Sequence, residues 1–336
     1  MANITDVARL AGVSHQTVSR VINNENTVRP VTRERVEKAM IALKYRPSMV
    51  ARALVTRRTH TIGLISTGNP LYGPSSTALG FNEAARDAGY QVTTASMSNS
   101  RPKELLEAVD VLLAQGVEAL VLIAADFTAI DAFLELEIEV PLVTAESTGR
   151  AGLHSVSIDQ FHGAELATAY LADLGHRTIL HLAGPPGSLD ATERERGWRA
   201  ELLRRNLPAS LVVSGDWSPD SGYAAADALL AQAGATAVFS ANDQMALGLL
   251  HALNDRGLRV PEDLSLVGFD DIPEAAHFVP PLTTVRQDFG ELGRQILDVV
   301  LEAIRGEEIG EPLRTAPRLV VRNSAQSPIL ASALPN

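Results

Sequence analysis

The sequence predicts an α/β protein: a small all-α head in front of a core made of two parallel-sheet α/β lobes. Three observations carry this. Residues 1–46 hold short amphipathic helix patterns and no strand pattern, whereas from residue 61 short apolar runs alternate with helix-like stretches. Those runs (TIGLIS, YQVTTAS, VEALVLI, VPLVTA, TILHLAG, TAVFSA and LSLVGFD) are many for one sheet, so two similar lobes fit better, with a cleft at the strands' carboxyl ends. The charge is also divided. Residues 1–60 hold 11 of the 29 basic and 4 of the 40 acidic residues, a net +7, leaving 18 basic against 36 acidic, or −18, for the remainder.

In the head, Asn3 is placed to cap a first helix, with Asp6 in the capping-box position and Val7, Ala8 and Leu10 on its apolar side. Gly12 breaks that helix. Ser14 caps a second one, roughly His15 to Asn23, with Val18, Val21 and Ile22 facing inward. Two helices joined by Ala11-Gly12-Val13-Ser14 match the helix-turn-helix pattern. Thr32 is expected to cap a third helix, in which Val36, Ala39, Met40 and Leu43 close a small core. Pro47 stops the chain. Residues 48–54 then suit a short lone helix, marginal in water until something binds it. The expected layout is therefore a head over 1–46, a hinge and linker over 47–60, and a core over 61–330. Within the core, an N-lobe takes about 61–157 and 287–316, a C-lobe about 158–286 and 317–330, and 331–336 form a tail.

Composition excludes several classes. The chain has no cysteine, hence no disulfide and no cysteine-bound zinc. No apolar run reaches membrane-span length, and MANITDVARL lacks the charged and apolar regions of a secretory signal, so a cytoplasmic protein is expected. A phosphate loop of Walker type, G-x-S-x-G and HExxH are all missing, and His154, His162, His176 and His181 lack metal-ligand spacing. Neither an enzyme nor a cofactor is expected.

The helix SHQTVSRVIN turns His15, Gln16, Ser19 and Arg20 outward. Glutamine can pair with adenine and arginine with guanine through two hydrogen bonds each, and histidine can meet either kind of base edge. Thr17, Ser19 and Asn23 are short polar groups suited to phosphate oxygens, and Thr5 and Ser14 complete the set expected at DNA. An ordinary solvated helix face is the plainer alternative. The turn, the caps and the basic balance favour double-stranded DNA.

In the core, Arg194, Asn242 and Asp270 are fork-like polar groups suited to neighbouring hydroxyls, and Trp217 in the loop GDWS suits the C–H face of a sugar. Asn242 follows TAVFSA and Asp270 ends LSLVGFD, so both belong at strand carboxyl ends. Each also has a structural explanation. Asn242 can simply cap a helix, Asp270 and Asp271 can cap a turn, Trp217 can be core, and Arg194 can belong to a solvated face among Glu193, Glu195 and Arg196.

ITDVARLAGVSHQTVSRVIN followed by VTRERVEKAMIALKYRPSMVARAL resembles the head of the LacI/GalR family of bacterial repressors, and the similarity continues through nearly the whole chain. The resemblance implies a periplasmic-binding-protein-like core. It implies that His15, Gln16 and Arg20 enter the major groove. It further implies a hinge helix over 48–54 whose Leu54 wedges into the minor groove, an expectation consistent with apolar wedges at flexible base steps. It adds Gln287 and Phe289 to the sugar site with Arg194, Trp217, Asn242 and Asp270, and makes Leu71, Pro74 and Ser75 a wall near the anomeric substituent. A sugar-binding member carries aspartate where this chain has Glu146, serine at Asp190, arginine at Asn99 and asparagine at Ile123, so the far wall is reworked.

The mechanism so implied is repression by a homodimer on a palindromic operator, relieved when a sugar, first a galactoside and otherwise another aldose or a disaccharide, closes or rotates the lobes. The tail NSAQSPILASALPN offers no leucine heptad, so a dimer is expected rather than a tetramer. Three other readings compete. They are a transporter's solute-binding protein, a sugar-active enzyme with a DNA-binding head, and a corepressor-dependent regulator of purine or other metabolism.

Overall fold

The computed structural model describes residues 2–22, 27–45, 58–67, 71–97, 101–124, 126–135, 138–147, 154–209, 211–308 and 310–328. Asn23, Leu54, Asn99 and the whole of the expected hinge helix lie outside the described residues. The chain divides into two compact units, 1–60 and 61–336.

Among the described residues the first unit holds three helices: α1 (Ile4–Ala11), α2 (His15–Ile22) and α3 (Pro30–Ala42). The Asn3 carboxamide oxygen accepts from the Thr5 and Asp6 amides at 2.9 and 3.1 Å, while Asp6 accepts the Asn3 amide at 3.0 Å. Both halves of the capping box are therefore made. Gly12 ends α1 at φ 63°, a left-handed conformation that costs glycine nothing. Arg35 reaches back from α3 and donates from Nε to the Ala11 carbonyl at 3.1 Å and from Nη2 to the Gly12 carbonyl at 3.1 Å. This satisfies carbonyls that the end of α1 leaves open. Val7, Ala8, Ala11, Val18, Val21, Val36 and Ala39 form the core.

Two expectations for the head are corrected. Leu10 is exposed, and Ala11 takes its inward place because the turn at Gly12 brings that position against α3. Thr32 is not a cap. The helix starts two residues earlier at Pro30, with Arg29 making no side-chain cap bond, since a proline's fixed φ suits a first helical position whose N–H would go unused.

Among its described residues the second unit holds two six-stranded sheets. One contains β1 (Thr61–Thr67), β2 (Gln91–Met97), β3 (Ala119–Ile123), β4 (Leu142–Ala145), β5 (His154–Ile158) and β11 (Leu313–Thr315). The other contains β6 (Ile179–Ala183), β7 (Val212–Ser214), β8 (Ala237–Ser240), β9 (Ser265–Asp270), β10 (Thr283–Arg286) and β12 (Arg318–Val320). Their spatial orders, 11-5-4-3-1-2 and 12-10-9-8-6-7, correspond strand for strand. Every pairing is parallel except β10 with β12. In the first sheet Ile62 lies between Val92 and Ala119, and all of β3 is buried, as expected of a parallel sheet covered on both faces. The chain passes between the sheets after β5, after β10 and between β11 and β12.

Helices cover both faces. In the N-lobe they are α4 (Tyr72–Asp87), α5 (Pro102–Ala114), α6 (Phe127–Leu134) and α12 (Phe289–Arg305). In the C-lobe they are α7 (Gln160–Asp173), α8 (Leu189–Arg204), α9 (Pro219–Ala224), α10 (Ala226–Leu230) and α11 (Asp243–Asp255). Helices α4 and α12 cross where Gly80 meets Gly293. A Cβ on either glycine would fall within 2.4 Å of the other helix's backbone. Only glycine allows that approach. The crossing fixes Leu71–Pro74 and Phe289, at the starts of these two helices, beside each other.

Candidate DNA-binding and effector sites

In the head, His15, Gln16 and Arg20 are exposed along α2, with Ser19 half-buried beside them. The Ser14 hydroxyl accepts the Thr17 amide at 3.2 Å and lies 3.0 Å from the Thr17 hydroxyl, so these two residues set the start of the helix. Thr5 is exposed at the start of α1. The helix thus presents one glutamine, one arginine and one histidine on a short rigid rod. Val18 and Val21 hold its opposite face in the core.

The second site is a cleft at the carboxyl ends of both sheets. Leu71, Pro74, Glu146, Asp190, Arg194, Trp217, Asn242, Asp270, Gln287 and Phe289 all line it, as does Ile123. Ser75 does not: it is exposed one position beyond Pro74, where the helical turn carries it away from the cleft.

At the base of the cleft four buried side chains close a ring. Arg194 Nε donates to Gln160 Oε1 at 2.9 Å, Gln160 Nε2 to Gln287 Oε1 at 2.8 Å, and Gln287 Nε2 to Asp270 Oδ1 at 2.6 Å. Asp270 Oδ1 lies 3.6 Å from Arg194 Nη2, completing the circuit. Arg194 Nη1 also donates to the Ala241 carbonyl, and the guanidinium lies 3.9 Å above the centre of the Phe269 ring. A solvated helix face is thereby excluded for Arg194: it is 4% exposed. Burial pushes the Asp270 carboxyl up to about 7, against the downward pull of Arg194 and Gln287 and with the help of Asp190. Two of the ring's members sit where the chain passes between the sheets. Gln160 opens α7 after β5, and Gln287 follows β10.

Asn242 does cap α11, accepting the Met245 amide at 2.8 Å, and its Nδ2 also donates to the Trp217 carbonyl at 3.0 Å. One amide therefore holds both a helix start and the loop that carries the tryptophan, which turns at φ 75°. Trp217 lies over Gly184 and 5.4 Å from the Arg194 guanidinium, lining the cleft with part of its ring exposed. Opposite, Tyr72 meets Phe289 edge to face, with ring centres 5.7 Å apart. Asp271, in contrast with Asp270, caps nothing in the cleft: it holds Arg286 and, at 2.6 Å, Arg322.

Several lining residues escape sequence reasoning: Tyr72, Ser147, Gln160 and Gln244. Gln160 opens a helix in the unremarkable run SIDQFHG, and nothing local marks it. Asp243 lies behind the cleft. It is fully buried, accepts from Thr284 Oγ1 at 2.6 Å and the Ile272 amide at 2.9 Å, and burial raises its carboxyl well above the usual range. Among the described residues no group of histidine, aspartate and glutamate side chains could hold a metal ion, and no helix is long and apolar enough to cross a membrane.

Comparison with known proteins matches residues 3–48 to the bacterial regulatory proteins of the lacI family and residues 168–325 to a periplasmic binding protein-like domain. The lactose operon repressor of Escherichia coli K12 is 35% identical over 335 residues, which is 98% of this chain and 92% of that one. A transcriptional repressor called PurR from Haemophilus influenzae is 34% identical, covering 97% and 99%. Among solved structures, the lac repressor dimer bound to operator and the anti-inducer ONPF gives a TM-score of 0.85 at 34% identity, covering 97% of this chain and 99% of that one. A complex of the transcriptional regulator CelR with cellobiose gives 0.71 at 34%, covering 97% and 100%. These relatives are regulators rather than enzymes. A helical DNA-binding head, two near-parallel α/β sheets and full-length identity agree, and the chain belongs to the lacI family of bacterial transcriptional repressors.

Proposed function

We propose that this repressor occupies a palindromic operator as a cytoplasmic homodimer and releases it when a sugar, a galactoside or a related aldose or disaccharide, enters the cleft. The observation that carries the reading is the ring of Arg194, Gln160, Gln287 and Asp270 beneath Trp217. It offers rigid donors and acceptors to adjacent hydroxyls and an aromatic face to C–H bonds. Glu146 and Asp190 add acceptors on the wall. Three carboxylates around one engaged guanidinium suit a ligand rich in hydroxyl donors and disfavour an anionic one. In the head, His15, Gln16 and Arg20 read base edges, and Thr5, Ser14, Thr17, Ser19 and Asn23 contact phosphate. The hinge over 47–60, with Leu54 as a minor-groove wedge, couples the head to the core.

Electrophoretic mobility shift with the chain's own promoter region, titrated with lactose, ONPG and cellobiose, tests this. Loss of the shifted band as sugar rises is the expected result. Thousandfold relief corresponds to about 4 kcal/mol of coupling, which the cleft must supply as a difference between two states. A second reading, corepression by a non-sugar metabolite such as a purine, is favoured by the near-equal identity to repressors called PurR. Under that reading the same titration with hypoxanthine and guanine strengthens the band and the sugars do nothing.

A further inference from the structure

Two side chains of the second unit belong to one lobe in sequence and to the other in packing. Leu189 opens α8 of the C-lobe, yet it is 1% exposed inside the N-lobe core, grouped with Ala129, Ile130 and Phe133 of α6 and with Met97 and Leu105. Tyr72 opens α4 of the N-lobe and packs against the C-lobe core together with Trp217. Beside Leu189 the backbones of Asp126 and Ser188 form an antiparallel bridge between lobes. Each of these two is also the cap of its own helix, Asp126 accepting from the Ala129 amide at 3.1 Å and Ser188 from the Ala191 amide at 3.3 Å. Ser188 and Asp190, on either side of Leu189, line the cleft.

We infer that Leu189 is a positioning residue for the effector site: a knob from one lobe seated in the core of the other, which holds the cleft closed and presents Asp190 across it. An apolar side chain that leaves water only when the lobes meet favours the closed form in the absence of ligand. The first turn of α8 follows the knob, so Asp190, one residue on, reaches its place against the N-lobe wall only when Leu189 is seated, whereas Arg194 is held within the C-lobe by Gln160, Ala241 and Asp270. Effector then meets a cleft that is already assembled, and less of its binding energy goes into closure. The inference rests on the proposed reading only in calling the cleft's occupant an effector.

The chain contains no cysteine, so the contact can be locked without interference. Facing residues of an antiparallel bridge lie within reach of a disulfide. The test is the double variant Asp126→Cys with Ser188→Cys in the full chain, compared oxidised and reduced, beside Leu189→Ala and Leu189→Met. The readout is acrylamide quenching of tryptophan fluorescence with no ligand present. Trp198 is fully buried, so quenching follows Trp217 in the cleft. The expected result is ready disulfide formation with roughly twofold weaker quenching than in the reduced form. Leu189→Ala should quench more strongly than wild type while keeping its thermal transition, and Leu189→Met should stay near wild type. Cysteines that remain reduced under oxidant, or quenching unchanged in both the locked and the alanine proteins, would overturn the inference. So would a collapse of the thermal transition in both Leu189 variants, which would make Leu189 ordinary core. Because no sugar enters the measurement, it can fail while the effector reading stands, and the reverse.

Discussion

The two functional regions are built in opposite ways. Helix α2 of the head keeps its valines in a core of seven buried residues and exposes His15, Gln16 and Arg20, the proposed base readers, within six consecutive positions. The cleft draws its working side chains from strand ends and helix starts between Leu71 and Phe289, and buries the most important of them. In the head, His15, Gln16 and Arg20 face solvent. In the cleft, Arg194, Gln160, Gln287 and Asp270 have satisfied one another before any ligand arrives. Substitutions on α2 should therefore change recognition without changing stability, and substitutions in the ring should change both. Four experiments break or sharpen that contrast.

The largest effect is expected from Asp270→Ala. Above about pH 7, where Asp270 is ionised, it leaves the Arg194 guanidinium buried without its carboxylate, a loss of about 3–5 kcal/mol by analogy with broken buried pairs. Urea denaturation of the core should show this, and response to every sugar should disappear. Should the stability hold, the ring would be no more cooperative than the surface of α2. Next come Gln16→Ala and Arg20→Ala, each expected to lose about 1–3 kcal/mol of discrimination between operator and scrambled duplex. Fluorescence anisotropy on the two duplexes reads that loss, and thermal midpoint and sugar affinity should not move.

Third, Gly12→Val places a β-branched residue at φ 63° with its Cβ about 3.2 Å from Arg35 Nη2. A cost of about 1–3 kcal/mol is expected for the head, seen as lost operator binding and lost helical signal. Sugar affinity of the core should be untouched.

The fourth effect is a slope rather than a step. Asp270 has its folded-state value raised to about 7, so the native form holds a proton that the unfolded chain releases near pH 4. Its contribution is intact at low pH and is lost as pH rises from about 4 through about 7, at no more than about 1.4 kcal/mol per pH unit. His181 works in the other sense. Burial against Phe239 and Trp198 lowers it to about 3, so stability falls as pH drops below about 6.5. Asp270→Asn should reduce the first slope, leaving the share that comes from Asp243, and should not alter the second. A pH series of urea midpoints whose slope between about pH 4 and 7 is the same in Asp270→Asn as in the wild type would contradict the buried protonated carboxyl.

Much of the molecule was legible in its sequence because the signals were local. Asn3 with Asp6, Gly12 and Ser14 announce a helix, a turn and a second helix through bonds that span three residues or fewer. The buried strands TIGLIS and VEALVLI stand out because a parallel sheet covered on both faces needs an unbroken apolar run. The strands β5, β7, β10, β11 and β12 carried no such mark. HSVSI alternates hydroxyl and apolar groups, and the others are three or four residues long. Arg194, Asn242, Asp270 and Trp217 were legible as residue types at strand ends, with the resemblance to a sugar-binding repressor adding Gln287 and Phe289. Gln160 was not, because a glutamine at a helix start is common and only its distant partners make it special.

By itself the sequence determined the helices of the head, seven of the strands, the separation of a basic head from an acidic core, and the face of α2 that meets solvent. Short-range hydrogen bonds and hydrophobic periodicity act within a few residues, so a linear reading can detect them. The tertiary structure alone decided that Arg194 and Asp270 are buried together, that Gln160 and Gln287 link two separate passages between the sheets, and that Leu189 belongs to the opposite lobe's core. Those facts join positions up to 127 residues apart. The free energy of such contacts depends on which surfaces the folded chain withdraws from water at the same place, and no local pattern encodes that.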